Sequence, residues 1–388
     1  MTEQVSDCKT EKTSKTGWLL SSFTIWLFVM LVGLNVFFQQ VKPLQYIKTS
    51  RYVPLEQNPL VSKFPKFFDS AIHPEIIVLG SSLPMEAIAR YDAEFSHNLD
   101  STNLDAIRKY TGARYLEHLM EKKTGTKISA FNLTCVACMT SDAEMILRKI
   151  IDTGRSPKVV ILGMGPRDFI DNIAPAAGKT PVCQLLSSRV TLPEIFSEKR
   201  SVDDFRDLLI GQMVYIYKVR GDYKTMLTGW ACDLVSHPAN LFESKMSNLP
   251  PPDAALKDAV GLKKKKRSQF ADLPEWKERY FPANFKRFES EKASFRKMLA
   301  NCHDKGIKVI VVNMPVTAQN RALIPDNLYD RYRQEVCALP PEYGFEIIDL
   351  NSNPSFTTSD FYDSAHLNAG GGKKVQDILV SSVNSLSL

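Results

Sequence analysis

The sequence predicts an α/β domain, a parallel sheet flanked by helices, carried on a single N-terminal transmembrane helix. Three observations lead there. Short unbroken apolar runs alternate with amphipathic helical stretches. One long uncharged run lies near the N-terminus. The alternation is interrupted by one large irregular segment, which reads as an insertion.

The membrane segment is the clearest element. No charged residue occurs from Thr16 through Val41, and Gly17 to Phe38 reads GWLLSSFTIWLFVMLVGLNVFF. At about 1.5 Å per residue this run crosses a hydrocarbon core of about 30 Å. It exceeds a signal-peptide core of about 7–15 residues, and no clean small-x-small cleavage site follows it. An uncleaved single-pass anchor in the cell membrane is therefore expected. Lys9, Lys12 and Lys15 precede it, while Lys42, Lys48 and Arg51 follow it, so charge does not fix its orientation. The organisation read from the chain is a tail over 1–16, the anchor over 17–39, a proline-bearing connector over 40–73, and an α/β domain over 74–388.

Within that domain, Glu75 to Leu79 (EIIVL) is the first strand, since an unbroken apolar run suits a strand buried on both faces. A helix is expected over 104–123 and a second strand over Ile128–Leu133. Another helix covers Asp142–Ile151, capped by Thr140 or Ser141. Pro157–Leu162 is the third strand. A long helix over 285–304 ends at Gly306, and Ile307–Asn313 is the fourth strand. A fifth strand centres on Phe345–Ile348, and a helix over 369–382 closes the domain. The stretch at about 174–284 breaks this rhythm. It contains Pro250-Pro251-Pro252 and the run Lys263-Lys264-Lys265-Lys266-Arg267, and it reads as an inserted cap whose basic run is either a solvated loop face or a contact for phosphate head groups or an anionic polymer.

Composition narrows the function classes. The chain has 388 residues, of which 44% are hydrophobic and 24% charged, with a net charge of +6. These values are ordinary for a globular protein. The basic run lacks interleaved aromatics, so no nucleic-acid partner is expected. No G-x-G-x-x-G or P-loop pattern occurs, which argues against a nucleotide-binding domain. Cys135 and Cys138 form a C-x-x-C without a second pair or a nearby His, so they read as small buried residues and no metal or cofactor is expected.

Two motifs carry chemistry. Gly80-Ser81-Ser82 follows the first strand directly, at the carboxyl edge where open parallel sheets place their sites. A helix beginning there aims N–H groups at a developing oxyanion. Asp363-Ser364-Ala365-His366 lies near the C-terminus. A serine nucleophile needs a base, and the base needs a carboxylate to hold its tautomer. The chain has six His, and only His366 has an Asp three positions before it.

Taken together and in this order, these motifs resemble the SGNH (GDSL-like) hydrolase superfamily over about residues 74–172 and 305–382. That resemblance implies a flavodoxin-like sheet, Ser82 as nucleophile, His366 as base and Asp363 as its orienting partner. Ser81 takes the place of the family's usual Asp. Phe131-Asn132-Leu133-Thr134 resembles the Asn-Leu-Gly block, with Thr134 where the Gly donates a backbone N–H. Gly163 to Phe169 stands where the family carries Gly-x-Asn-Asp, so Arg167 is the candidate replacement for the oxyanion-binding Asn. The alternative for Arg167 is an ion pair with Asp168 or Asp171.

The anchor, the Gly-Ser-Ser and the insertion resemble in particular the membrane-anchored proteins of cell-envelope O-acylation, such as the D-alanine transfer protein of lipoteichoic acid synthesis and the alginate O-acetylation proteins. The resemblance implies an extracytoplasmic esterase or O-acyltransferase. It would act on acyl esters of an envelope polysaccharide or a lipid-linked acceptor, beside a membrane-bound O-acyltransferase. The competing expectation is a catalytically degenerate partner or scaffold of such an acyltransferase.

Overall fold

The structure, a computed structural model, describes residues 14–42, 61–175, 180–187, 269–338 and 344–382, with positions 206, 209–211, 213–218, 223 and 227. The chain divides into two compact units: Met1–Pro54 with Val190–Val260, and Leu55–Arg189 with Gly261–Leu388.

The second unit is α/β. Five parallel strands form its sheet: β1 (Ile76–Gly80), β2 (Ala130–Asn132), β3 (Val159–Met164), β4 (Lys308–Asn313) and β5 (Phe345–Asp349). Their spatial order is β2-β1-β3-β4-β5. Ile76 pairs with both Ala130 and Val159, so β1 lies between strands that follow it in sequence. This is the doubly wound arrangement, and its order reverses at β1. The central strands are apolar throughout because both faces are covered. Ile76, Ile77, Val78 and Leu79 are all buried. Each such side chain contributes about 1.5–3 kcal/mol by leaving water.

The helices of this unit are α2 (Lys63–Phe68), α3 (Ser82–Ser96), α4 (Leu104–Lys109), α5 (Arg114–Thr124), α6 (Thr140–Asp152), α7 (Arg167–Ile170) and α8 (Pro181–Ser187). After the four-residue α9 (Tyr215–Lys218) of the other unit come α10 (Leu273–Tyr280), α11 (Phe285–Asp304), α12 (Ala318–Arg321), α13 (Asp326–Tyr332) and α14 (Ala369–Ser382). Helices α3, α5 and α14 pack together, and α6, α7 and α11 form a separate group. Right-handed crossovers from a sheet of this order place the two groups on opposite faces. Helices α3 and α14 approach closely because Gly372 has no side chain: a Cβ there would lie 2.0 Å from the Ala87 carbonyl oxygen.

The structure differs from the sequence reading in four places. The helix expected over 104–123 is two helices. Asp92 of α3 accepts the Tyr110 hydroxyl and the N–H groups of Arg114 and Tyr115, which caps α5 and ends the first helix before it. The cap of α6 is neither Thr140 nor Ser141. The helix starts from Met139, whose N–H donates to the Asp142 side chain at 3.0 Å. The connector expected over 40–73 ends in α2, whose Phe64 and Phe67, with Val61 just before the helix, are fully buried in the α/β core. Arg155 holds α2 there by donating to the carbonyls of Phe67, Phe68 and Ser70. Finally, residues 269–284 of the expected insertion belong to the α/β unit through α10, whereas Pro250-Pro251-Pro252 and the basic run 263–267 lie outside the described residues.

The first unit contains α1 (Ser14–Val41), an N-terminal helix long and apolar enough to cross a membrane, with Phe23–Val41 as the candidate span.

Candidate active site

The site forms where β1 ends. Gly80 adopts φ +129°, and a Cβ there would meet the Gly163 carbonyl oxygen at 2.0 Å. Only glycine permits this turn against β3. The turn sets Ser82 as the first residue of α3, at the positive end of the helix dipole. The first N–H groups of a helix have no acceptor within it.

The partners come from the loop before α14. His366 Nε2 lies 2.9 Å from Ser82 Oγ, and its Nδ1 lies 2.8 Å from Asp363 Oδ2. A carboxylate can only accept, so Nδ1 carries the proton and Nε2 is left to accept from the serine hydroxyl when the ring is neutral. Asp363 Oδ1 also accepts the N–H groups of Ala365 at 2.9 Å and His366 at 2.7 Å. This closed turn precedes α14, so Asp363 and His366 belong to the loop before that helix.

The turn is itself held from three sides. The Ser364 hydroxyl donates to Asp272 at 2.7 Å, and the Thr317 hydroxyl donates to the Ser364 carbonyl at 2.7 Å. Tyr362 N–H donates to the His366 carbonyl at 2.7 Å. The Trp276 ring centre stands 6.2 Å from that of His366. Asp272 and Trp276 come from the end of the expected insertion, and no sequence signal marked them.

Glu86 was also missed, though a signal existed. It lies four residues after Ser82, one helical turn along the same face. Its Oε1 is 4.0 Å from His366 Nε2, and its Oε2 is paired with Arg90 at 2.6 Å. Burial works against a charged imidazole here, but Asp363 and then Glu86 outweigh it and raise His366 to about 9. Burial likewise opposes the Asp363 charge, but the imidazolium and its hydrogen bonds bring that carboxyl down to about 2.

The sign of the pH effect follows. Below about pH 9 the ring is protonated and cannot accept the serine proton, so a Ser82-dependent rate rises with pH towards a plateau above that value. Glu86→Gln removes one negative neighbour and is expected to move this limb to lower pH by roughly one unit. A profile of kcat/KM against pH for both proteins checks the shift.

The other three candidates lie deeper. Ser81 is fully buried, and its hydroxyl donates to Asp168 Oδ2 at 3.4 Å. The same oxygen accepts Gly165 N–H at 2.9 Å. Arg167 is buried and ion-paired with both Asp168 and Asp171, and it also donates to the Cys138 carbonyl. Of the two sequence alternatives, the ion pair is the one present. Thr134 N–H donates to Asn132 Oδ1 at 3.1 Å, and the Thr134 hydroxyl bonds the same oxygen. Thr134 and Arg167 are thus spent on structure around the strand ends, and the N-terminus of α3 is left as the donor set beside Ser82.

Lys63 of α2 completes this buried layer, donating to Thr134 Oγ1 at 3.3 Å and Asn132 Oδ1 at 3.4 Å. Burial lowers its amine to about 7. The unfolded chain therefore binds the extra proton between about pH 7 and 10.5, and stability rises with pH across that window. Lys63→Met is expected to stabilise the fold by roughly 1–3 kcal/mol at or below neutral pH, with the gain shrinking as pH approaches 10. Denaturant melts at several pH values check this.

Among the described residues, no group of three or more His, Cys, Asp or Glu converges to hold a metal ion. Cys135 and Cys138 are buried free thiols. No protein-family profile matches the chain, and no curated protein is similar to it at a significant level.

Proposed function

We propose that this protein is a membrane-anchored serine esterase or O-acyltransferase of the SGNH type, acting on acyl esters of an envelope polysaccharide or a lipid-linked acceptor. The observation that carries this reading is the continuous chain Ser82–His366–Asp363, with links of 2.9 and 2.8 Å, at the reversal point of a parallel sheet. A hydroxyl, an imidazole and a partly buried carboxylate in this geometry can perform acyl transfer. Ser82 Oγ attacks the acyl carbonyl while its proton passes to His366 Nε2. The oxyanion forms beside the α3 N-terminus. His366 then protonates the leaving oxygen, and the acyl group moves from Ser82 to water or a sugar hydroxyl.

The polymer part of the proposal is supported by Tyr362, whose N–H donates to the His366 carbonyl at 2.7 Å. The residue is 62% exposed, and the Arg90 guanidinium lies over one face of its ring, 4.4 Å from the centre. An exposed aromatic face next to a nucleophile suits a sugar ring. The helix α1 supports a cell-membrane location, and the resemblance to envelope O-acylation proteins supports an extracytoplasmic domain working beside a membrane-bound O-acyltransferase.

One observation favours a second reading, a non-catalytic partner of such an acyltransferase: Thr134 and Arg167 are occupied by structural bonds rather than open to an oxyanion. Turnover of an aryl acetate and of an O-acetylated polysaccharide by the purified protein separates the two. Release of acid or transfer of the acyl group, with saturation and with loss in a His366→Ala protein, supports the enzyme. No turnover up to pH 10 supports the partner.

A further inference from the structure

We infer that the segment around Met213–Tyr217 lies in the boundary between the headgroups and acyl chains of the bilayer, docked on the anchor helix through Asn35. The inference rests on the proposal that α1 spans a membrane, and it adds a second point of lipid contact within the unit formed by Met1–Pro54 and Val190–Val260.

The first observation is a repaired helix break. Positions 209–211 and 213 are helical, Val214 is not, and α9 restarts at Tyr215. Val214 N–H still donates to the Ile210 carbonyl at 2.8 Å. The groups that the break sets free are taken by one side chain of α1. Asn35 Nδ2 donates to the Met213 carbonyl at 2.6 Å, and Tyr215 N–H donates to Asn35 Oδ1 at 2.7 Å. Gln39 Nε2 adds a bond to the same carbonyl at 3.3 Å. In water such groups need no protein partner. In hydrocarbon each unsatisfied one costs several kcal/mol, and broken helices persist only where side chains satisfy them. A carboxamide offers both a donor and an acceptor, which is what the break requires.

The second observation is the surface around it. Met213 and Ile216 are 61% and 53% exposed. The sequence from Leu208 to Tyr217 (LLIGQMVYIY) carries no charge and is bounded by Asp207 and Lys218. Ten residues are too few to span a bilayer, and a run of this length is either a core helix or an interfacial one. The exposure of Met213, Val214 and Ile216 argues against the first option. Its two tyrosines suit the headgroup level, and Tyr215 also sets its ring 6.3 Å from that of Phe38.

The third observation is depth. Asn35 lies six residues before the end of the span at Val41, which is about 9 Å along the helix axis. That matches the depth of about 5–10 Å to which interfacial helices bury their apolar face.

The test uses the full chain reconstituted in phosphatidylethanolamine–phosphatidylglycerol vesicles, with Cys8, Cys232 and Cys337 replaced by Ser. An NBD fluorophore is attached at Ile216→Cys or at Val29→Cys in the span. Lipids carrying a doxyl quencher on the acyl chain report contact. The expected result is quenching at position 216 within about twofold of that at 29, and a marked loss of quenching at 216 on adding Asn35→Leu. Quenching at 29 without quenching at 216 overturns the inference while leaving the anchor intact, whether 216 is open to aqueous iodide or shielded from it by another protein. Absence of quenching at 29 shows that the anchor reading itself has failed, and the inference falls with it. Unchanged quenching at 216 in Asn35→Leu overturns the docking role of Asn35.

Discussion

Ser82→Ala is expected to reduce kcat on an acyl ester by about 10⁴-fold or more while leaving the fold intact. The magnitude follows from the position of Ser82 in the chain of contacts. Its Oγ is the atom that forms the new bond and the only group donating its proton to His366 Nε2 in the proposed step. No neighbouring hydroxyl substitutes for it, since the Ser81 hydroxyl is buried and directed at Asp168. The change removes one half-buried oxygen at the start of α3, so stability should move by no more than about 0.5 kcal/mol. Residues that act as one unit lose their effect together. A Ser82→Ala, His366→Ala double variant is therefore expected to be no slower than the single variants. Initial rates at about pH 10, above the His366 value of about 9 so that the ring is mostly neutral, are the measurement.

Arg167→Ala is expected to act on stability, with a loss of roughly 3–5 kcal/mol. The guanidinium sits between two buried carboxylates, Asp168 and Asp171, and its charge opposes the effect of burial at both: burial still leaves the Asp168 carboxyl raised, whereas against burial Arg167 and then Arg279 bring Asp171 below the usual carboxylate range. Removing it leaves Asp171 with Arg279 at 2.5 Å, but Asp168 loses its cation. Asp168 also holds Ser81 and Gly165, the residues under the nucleophile turn and at the end of β3. Some loss of activity should follow from this displacement. The two roles separate by melting: a lowered denaturation midpoint marks the ion pair, whereas an unchanged midpoint with a fall in kcat would mark an oxyanion donor. The expected loss exceeds that of an ordinary surface substitution, which stays within about 0.5 kcal/mol.

These contrasts show what the sequence could and could not reveal. The strands β1, β3 and β4 are legible because burial on both faces leaves an unbroken apolar signature. The Ser82–His366–Asp363 cluster is legible because its residues stand beside local markers: a strand end for Ser82, and an Asp three positions away for His366. What was hidden depends on contacts between distant segments. The break between α4 and α5 is made by Asp92, some twenty residues earlier. Helix α2 was concealed by the prolines around it, although Phe64 and Phe67 share one face. Arg167 has the right place in the chain for an oxyanion donor, but its partners Asp168 and Asp171 lie within four residues and capture it. Asp272 and Trp276 reach the site only because α10 packs back onto the α/β unit after the insertion.

The most direct test of the proposed serine chemistry is covalent labelling of the intact protein with a fluorophosphonate probe, followed by mass spectrometry of the labelled peptide. The probe reacts with a serine only when a base removes its proton. The expected result is a single adduct on Ser82 whose rate of formation rises towards pH 9 and falls sharply in His366→Ala. A folded protein that takes no label on Ser82, or one labelled equally fast without His366, would contradict the assignment.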